Sequence, residues 1–235
     1  MKEIKDEIIS CIERNRISST EVADALDKSG VLQGLLPINN GKHITGKVTY
    51  IYAFNESNWS VHEQIKEIDE GSIVYIDAFN CNNKAIFGDL VSKYLILYKK
   101  AKAIVVNGPL RDIPNLRKEG YPIWCSGFTP LGCNNRPLEL NDELKVLISS
   151  RKNKFENSIL TCDDSGCTLI EADKVTTEML NKLDLIELQE DIWFYCIDTL
   201  KWSTYETVCL KKYLTNMDVL PAVLQNKVKE ISFND

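Results

Sequence analysis

Isoleucines at positions 4, 8, 9 and 12 recur at helical spacing, which predicts an amphipathic helix over residues 3–15. Ser18 with Glu21 three residues on is a capping-box signature, opening a second helix through Val22, Ala23, Ala25 and Leu26 that Gly30 stops. Residues 45–54 alternate as a strand does. A helix is expected over 61–68, and Gly71 turns the chain into a buried strand at 72–76. A third helix over about 88–100 precedes the apolar run 103–106, a buried strand, with Asn107-Gly108-Pro109 reading as the turn after it. Helical residues 112–118 lead through Gly120 to a strand at 122–125. Residues 158–171 read as a hairpin turning at Asp163-Asp164-Ser165-Gly166, with a helix expected over about 173–184. Beyond it, residues 186–235 carry Trp193, Phe194, Tyr195, Trp202 and Tyr205, too apolar for a linker. Strands alternating with helices at short spacing predict an α/β fold around a central sheet.

With 44% hydrophobic residues in 235, the chain can bury a full core. A net charge of -6 argues against a nucleic-acid surface, which needs a basic stripe. No apolar run reaches the roughly 20 residues that cross a bilayer. The charged N-terminus lacks the unbroken apolar centre of a signal peptide, so a cytoplasmic protein without membrane attachment is expected. The 8 cysteines form no CxxC pair and only 2 histidines are present, which favours reduced core cysteines over a structural zinc site. Neither His43 nor His62 falls in a motif that would make it a base. Asp163-Asp164-Ser165-Gly166 lacks the later ligands of an EF-hand loop and reads as a plain turn.

The chemistry concentrates at Arg111-Asp112, directly after a predicted strand. A guanidinium offers a rigid fork for a carboxylate, and Asp can hold a hard divalent cation. Side by side at a strand's end, the two can grip an oxo-acid. Taken alone, such a pair is more often a surface ion pair or a helix cap. Asp89, just after Gly88 at an expected helix start, has the N-cap as its ordinary explanation.

Five stretches in order carry a family resemblance: residues 19–27 (STEVADALD), 71–77 (GSIVYID), 88–90 (GDL), 105–112 (VVNGPLRD) and 121–132 (YPIWCSGFTPLG). A weaker echo lies at 163–175. Together they resemble the RraA-like family, which includes the regulator of ribonuclease activity A and the 4-hydroxy-4-methyl-2-oxoglutarate aldolases. The resemblance implies an α/β swivelling β/β/α domain over residues 1–175, including the N-terminal helix. Residues 176–235 then form a C-terminal extension packed on the domain or on a neighbouring subunit.

It also implies a homo-oligomer, trimer or hexamer, and a lyase dependent on Mg or Mn. Such an enzyme cleaves a small 4-hydroxy-2-oxo acid, or decarboxylates oxaloacetate, through a metal-stabilised pyruvate enolate. Under the same resemblance Arg111 binds the pyruvyl carboxylate and Asp112 anchors the metal, largely through water. Asp89 positions a water for proton transfer, and Leu90 offers a backbone N–H to the substrate. The alternative branch is a non-catalytic regulatory binding protein that docks on a protein partner. Two departures stand out. Twenty-one residues separate Asp89 from Arg111, one more than in the family's active members. Phe79, in Ala78-Phe79-Asn80-Cys81-Asn82-Asn83, stands in the family's glycine-rich loop.

Overall fold

A computed structural model describes residues 4–232 of the chain. The expected helix start at residue 3, and the outer ends of both expected domains, lie outside the described residues. Contacts divide the chain into one unit ending at Thr176 and a second beginning at Thr177.

In the first unit, α1 spans Ile4–Asn15 and α2 spans Ser19–Ala25. Both halves of the capping box form, with the Glu21 N–H donating to Ser18 Oγ and the Ser18 N–H donating to the Glu21 carboxylate. Seven strands follow: β1 (Leu36–Pro37), β2 (Ile44–Phe54), β3 (Ile73–Phe79), β4 (Ala103–Leu110), β5 (Ile123–Phe128), β6 (Ile159–Asp163) and β7 (Gly166–Ile170). They form one sheet in the order β1-β5-β4-β3-β2-β6-β7. Strands β2 to β5 run parallel, whereas β1, β6 and β7 pair antiparallel. The segment that opens at Val31 bridges Thr168 on β7, and at Leu36–Pro37 it pairs with β5. One short stretch thus touches both edges and nearly closes the sheet into a barrel, leaving little unpaired edge.

Alternate residues of the same strands fill two cores, which is why these strands read as unbroken apolar runs. Ile73, Tyr75, Val105 and Trp124 pack with Leu160, Leu169 and Phe155 on one face. Val74, Ile76, Ile104 and Val106 pack on the other face. There they meet Val61 of α3 (Trp59–Gln64), Val91 of α4 (Asp89–Lys93) and Leu116 of α5 (Ile113–Glu119).

Three expectations need correction. Asn107-Gly108-Pro109 is not a turn but the second half of β4, where the pairing to β5 shifts register between Val106 and Pro109. That irregularity accommodates a proline without a ladder N–H. The helix expected over 88–100 is α for only five residues, then opens into a wide π turn at Tyr94–Tyr98. The helix expected at 173–184 begins as a 3-10 turn at Ala172–Lys174. It continues as α7, Thr177–Asp198, far beyond the expected end.

An unanticipated helix, α6, covers Asp142–Phe155 and is capped by the Asn141 side chain, which accepts the Leu144 N–H at 2.8 Å. Its inward stripe, Leu144, Ile148 and Phe155, is interrupted at the third inward position by Arg151, so the helical period is hidden. Arg151 reaches the buried Asp77 of β3 with two bonds, Nε to Oδ2 at 2.8 Å and Nη2 to Oδ1 at 3.0 Å. Tyr50, Tyr75 and Asn107 also donate to that carboxylate, at 3.1, 3.2 and 3.1 Å. Burial, and next the Asp77 charge, push the Tyr50 and Tyr75 phenols well above their ordinary pKa.

The second unit packs Leu188, Ile192 and Cys196 of α7 against Tyr213, Leu220 and Leu224, the last on α8 (Ala222–Ser232). Of its aromatic residues, Trp193, Tyr195 and Trp202 join this core, whereas Phe194 and Tyr205 are exposed. No helix among the described residues is long and apolar enough to cross a membrane.

Candidate active site

The carboxyl ends of β3, β4 and β5 lie side by side because these strands are parallel neighbours, and open sheets of this kind bind ligands at that end. Three connections meet there: residues 80–88 after β3, Arg111-Asp112 after β4 and residues 129–134 after β5. Backbone bonds tie them together. Ala85 N–H donates to the Leu131 carbonyl at 2.7 Å, Ile86 N–H to Pro109 at 3.0 Å and Arg111 N–H to Phe87 at 3.1 Å.

Asp112 sits in the left-handed region at φ 58°, a conformation Asp tolerates better than most residues. It occupies the N-cap position of α5, yet its side chain makes no capping bond. Instead its Oδ2 accepts the Asp89 N–H at 3.2 Å and lies 3.7 Å from Arg111 Nε. The helix-cap explanation therefore fails for Asp112. It fails for Asp89 as well, because Gly88 is the N-cap of α4 and Asp89 is its first residue.

Glycine is required twice. A Cβ on Gly88 would stand 2.0 Å from Asp112 Oδ2 and 2.9 Å from Arg111 Cγ. A Cβ on Gly132 would stand 2.5 Å from Arg111 Nη1. The guanidinium lies on the backbone of Gly132 and the carboxylate on that of Gly88. Arg111 and Asp112 are both about half exposed, at 49% and 44%, and among the described residues neither terminal nitrogen of Arg111 donates to a protein acceptor. Arg151 is the opposite case, with its donors taken by Asp77 and Tyr75.

The segment between Asp89 and Arg111 contains a wide turn at Tyr94–Tyr98. Lys99 N–H donates to the Tyr94 carbonyl at 3.0 Å, an i→i+5 bond that holds one residue more than an α turn. Across this segment the Asp89 backbone N–H bonds the Asp112 carboxylate. Phe79 leaves the site open, packing instead with Phe54, Leu144 and Ile148. Leu90 is 84% exposed, and its N–H lies in the first turn of α4, where no intrahelical acceptor exists.

A profile of the RraA-like family, described as Aldolase/RraA, matches residues 19–169. The chain belongs to the RraA-like family. Protein DlpA of Legionella pneumophila is 27% identical over 199 residues, covering 81% of this chain and 31% of that protein. The chain thus spans about a third of the length of that curated relative. A Halalkalibacterium halodurans protein named "Putative 4-hydroxy-4-methyl-2-oxoglutarate aldolase" is 26% identical over 141 residues, covering 54% of this chain and 67% of it. Among solved structures, Streptomyces coelicolor RraAS2, an unusual member of the RNase ES inhibitor RraA protein family, superposes with a TM-score of 0.61. That match has 20% identity and covers 79% of this chain and 94% of RraAS2, a likeness of fold.

Within this RraA-like chain, sequence reasoning missed the close approaches at Gly88 and Gly132. It also missed Tyr121, whose buried hydroxyl makes no hydrogen bond of good geometry among the described residues. Burial raises its pKa, and the nearby Glu119 and Asp89 carboxylates add to that. The GD and LG dipeptides were the available signals, but nothing local says which side chain a glycine makes room for. His43, expected at the surface, is half-buried with Nε2 2.8 Å from the Ile17 carbonyl. Asp163 is occupied structurally, accepting the Ser19 N–H at 2.6 Å and its hydroxyl at 2.7 Å. A cavity of about 410 Å³ beside Thr49, Gln64, Glu67 and Lys152 includes none of the candidate site residues.

Proposed function

We propose that this protein is a divalent-metal-dependent lyase that cleaves a small 4-hydroxy-2-oxo acid or decarboxylates oxaloacetate. The observation that carries this reading is the Arg111 fork, half-exposed and with no protein acceptor for its terminal nitrogens among the described residues, laid on Gly132 beside a carboxylate that does not cap its own helix. Its terminal nitrogens suit a bidentate bond to the substrate carboxylate. The Leu90 N–H offers a second donor to the same substrate. The Asp89 carboxylate, at the first turn of α4, would hold a water and move a proton to or from the reacting carbon.

The donor set fits Mg or Mn in one way only. Among the described residues no cluster of three His, Cys, Asp or Glu side chains is present, so an all-protein cage is absent. Asp112 is a hard oxygen donor with open solvent beside it, which suits a cation that keeps most of its waters. When bound, such a cation supplies a Lewis acid toward the 2-oxo and carboxylate oxygens. Arg111 and the Asp89 N–H orient the exposed carboxylate that would hold it.

The site is open on one side, and Leu90, Tyr94, Leu97 and Tyr98 form an exposed apolar stripe beside it. A homo-oligomer, trimer or hexamer, would cover that stripe. The same stripe supports a second reading, a regulatory protein that docks on another protein.

The deciding assay measures pyruvate released from oxaloacetate and from 4-hydroxy-2-oxo acids with Mg or Mn. Activity in the wild type that Arg111→Ala and Asp112→Ala each abolish is expected. No turnover across a panel of 2-oxo acids removes the lyase reading. A protein partner whose binding ignores Arg111→Ala then favours the regulatory one.

A further inference from the structure

The chain holds two close cysteine pairs. Cys162 and Cys167 are cross-strand partners in the β6–β7 hairpin, and both are buried in the core. Burial pushes Cys162 well up, so that pair is inert.

Cys81 and Cys133 stand elsewhere, on two of the three connections that frame Arg111. Cys81 opens the turn after β3, in which the Lys84 N–H donates to the Cys81 carbonyl at 2.9 Å. Cys133 follows Gly132, and its own N–H donates to the Ala85 carbonyl at 2.9 Å. A parallel bridge between Ala85 and Gly132 holds the two backbones in register. The Cys133 thiol reaches the Lys84 carbonyl at 4.0 Å, so its sulfur stands against the turn that Cys81 opens. Cys133 is half-buried and Cys81 is buried behind it, so a small oxidant reaches the pair from the Cys133 side.

The surroundings favour a reactive sulfur at Cys81. The neighbouring Cys133 side chain holds the Cys81 pKa below the usual thiol value, opposed by burial and helped by the Glu56 backbone. Lys84 lies near but is paired with Glu56, so their charges largely offset. In its protonated form Cys81 donates to the Phe79 carbonyl at 3.4 Å. Cys133 is pushed the other way, first by the bond to Cys81, and keeps its proton. This is the division of roles of an attacking and a resolving thiol.

We propose that Cys81 and Cys133 are a reversible oxidation site for hydroperoxides, closing to a disulfide that ties together the two connections on either side of Arg111. The Cys81 thiolate attacks the hydroperoxide, the O–O bond breaks, and hydroxide or an alkoxide leaves and is protonated. Cys81 is then a sulfenic acid. The Cys133 sulfur attacks it, the S–O bond breaks, and the hydroxyl leaves as water with the Cys133 proton. Two thiols have lost two electrons and the peroxide has been reduced, so no further reactant is needed.

The test oxidises the native full chain with hydrogen peroxide, alkylates the remaining thiols after denaturation, and maps peptides by mass spectrometry without reduction. The expected result is loss of two of the 8 alkylatable thiols, with Cys81 joined to Cys133 and full recovery after dithiothreitol. Cys133→Ser, at the half-buried partner, removes the link, as does Cys81→Ser, whereas Cys162→Ser leaves it in place. Three results overturn the proposal: retention of all thiols, a link between Cys162 and Cys167 instead, or Cys81 oxidised beyond sulfenic acid with no link. None depends on whether the protein is a lyase.

Discussion

Gly88→Ala separates site geometry from fold stability. The added Cβ would lie 2.0 Å from Asp112 Oδ2, 2.8 Å from its Cγ and 2.9 Å from Arg111 Cγ. Ordinary contact begins well beyond 3 Å, so the carboxylate must move by an ångström or more. It can do so, because the Asp112 side chain is 44% exposed and the space outside it is solvent. The fold loses the Asp89 N–H bond, worth about 1 kcal/mol at an exposed position. It regains about 0.4–1 kcal/mol from the lower entropy of the unfolded chain with Ala in place of Gly. The net change is about 1 kcal/mol or less, a shift of about 2–4 °C in melting temperature for a domain of this size.

Function responds on another scale. Misplacing a reacting group by about 1 Å costs on the order of 10²-fold in rate. Melting by fluorimetry, pyruvate release with Mn, and Mn affinity by paramagnetic resonance are measured on the same preparation. The expected pattern is a near-native melting temperature with kcat/KM down about 10²-fold and weakened Mn binding. A variant with near-native activity and Mn affinity refutes the assignment of Asp112 to the metal. A collapse of stability refutes the claim that the carboxylate moves freely.

Gly132→Ala displaces the Arg111 guanidinium rather than the carboxylate, since its Cβ would stand 2.5 Å from Nη1; KM for the oxo-acid should rise with Mn affinity unchanged. Asp77→Ala strands the Arg151 charge and removes the acceptor for the buried Tyr75 and the half-buried Tyr50, and urea denaturation should show a loss of about 3–5 kcal/mol. Replacing Asp77 and Arg151 together by apolar residues should cost less than Asp77→Ala alone. The same network sets an alkaline limit. Tyr50 and Tyr75 have folded pKa values raised above the ordinary 10.0, so the stability they contribute is complete below about pH 10 and is lost as pH rises toward the folded values. Spectroscopic titration should find two tyrosines that ionise only as the first unit unfolds; early ionisation of all nine tyrosines contradicts this.

Much of the first unit was readable because its signals are local. The Ser18–Glu21 box, the apolar runs of β3 and β4 and the Gly120 stop depend on neighbours within a few residues. Reading failed where tertiary pairing supplied the missing partner. Gly108 and Pro109 look like a turn until a register shift beside β5 gives them a place in a strand. Arg151 breaks the apolar stripe of α6 until Asp77, 74 residues away, neutralises it in the core.

The sequence by itself determined the chemistry at hand: a guanidinium and a carboxylate at the end of a buried strand, an acid at a helix start, and glycines on either side of them. Which groups those glycines make room for was decided only by the folded chain. So were the turning of Asp112 away from its helix, the exposure of the Arg111 fork and the bond from the Asp89 N–H to Asp112. The physical reason is range. Propensity and capping act across three or four residues, whereas the bond from Asp89 to Asp112 spans 23 and exists only because β3 and β4 are parallel neighbours.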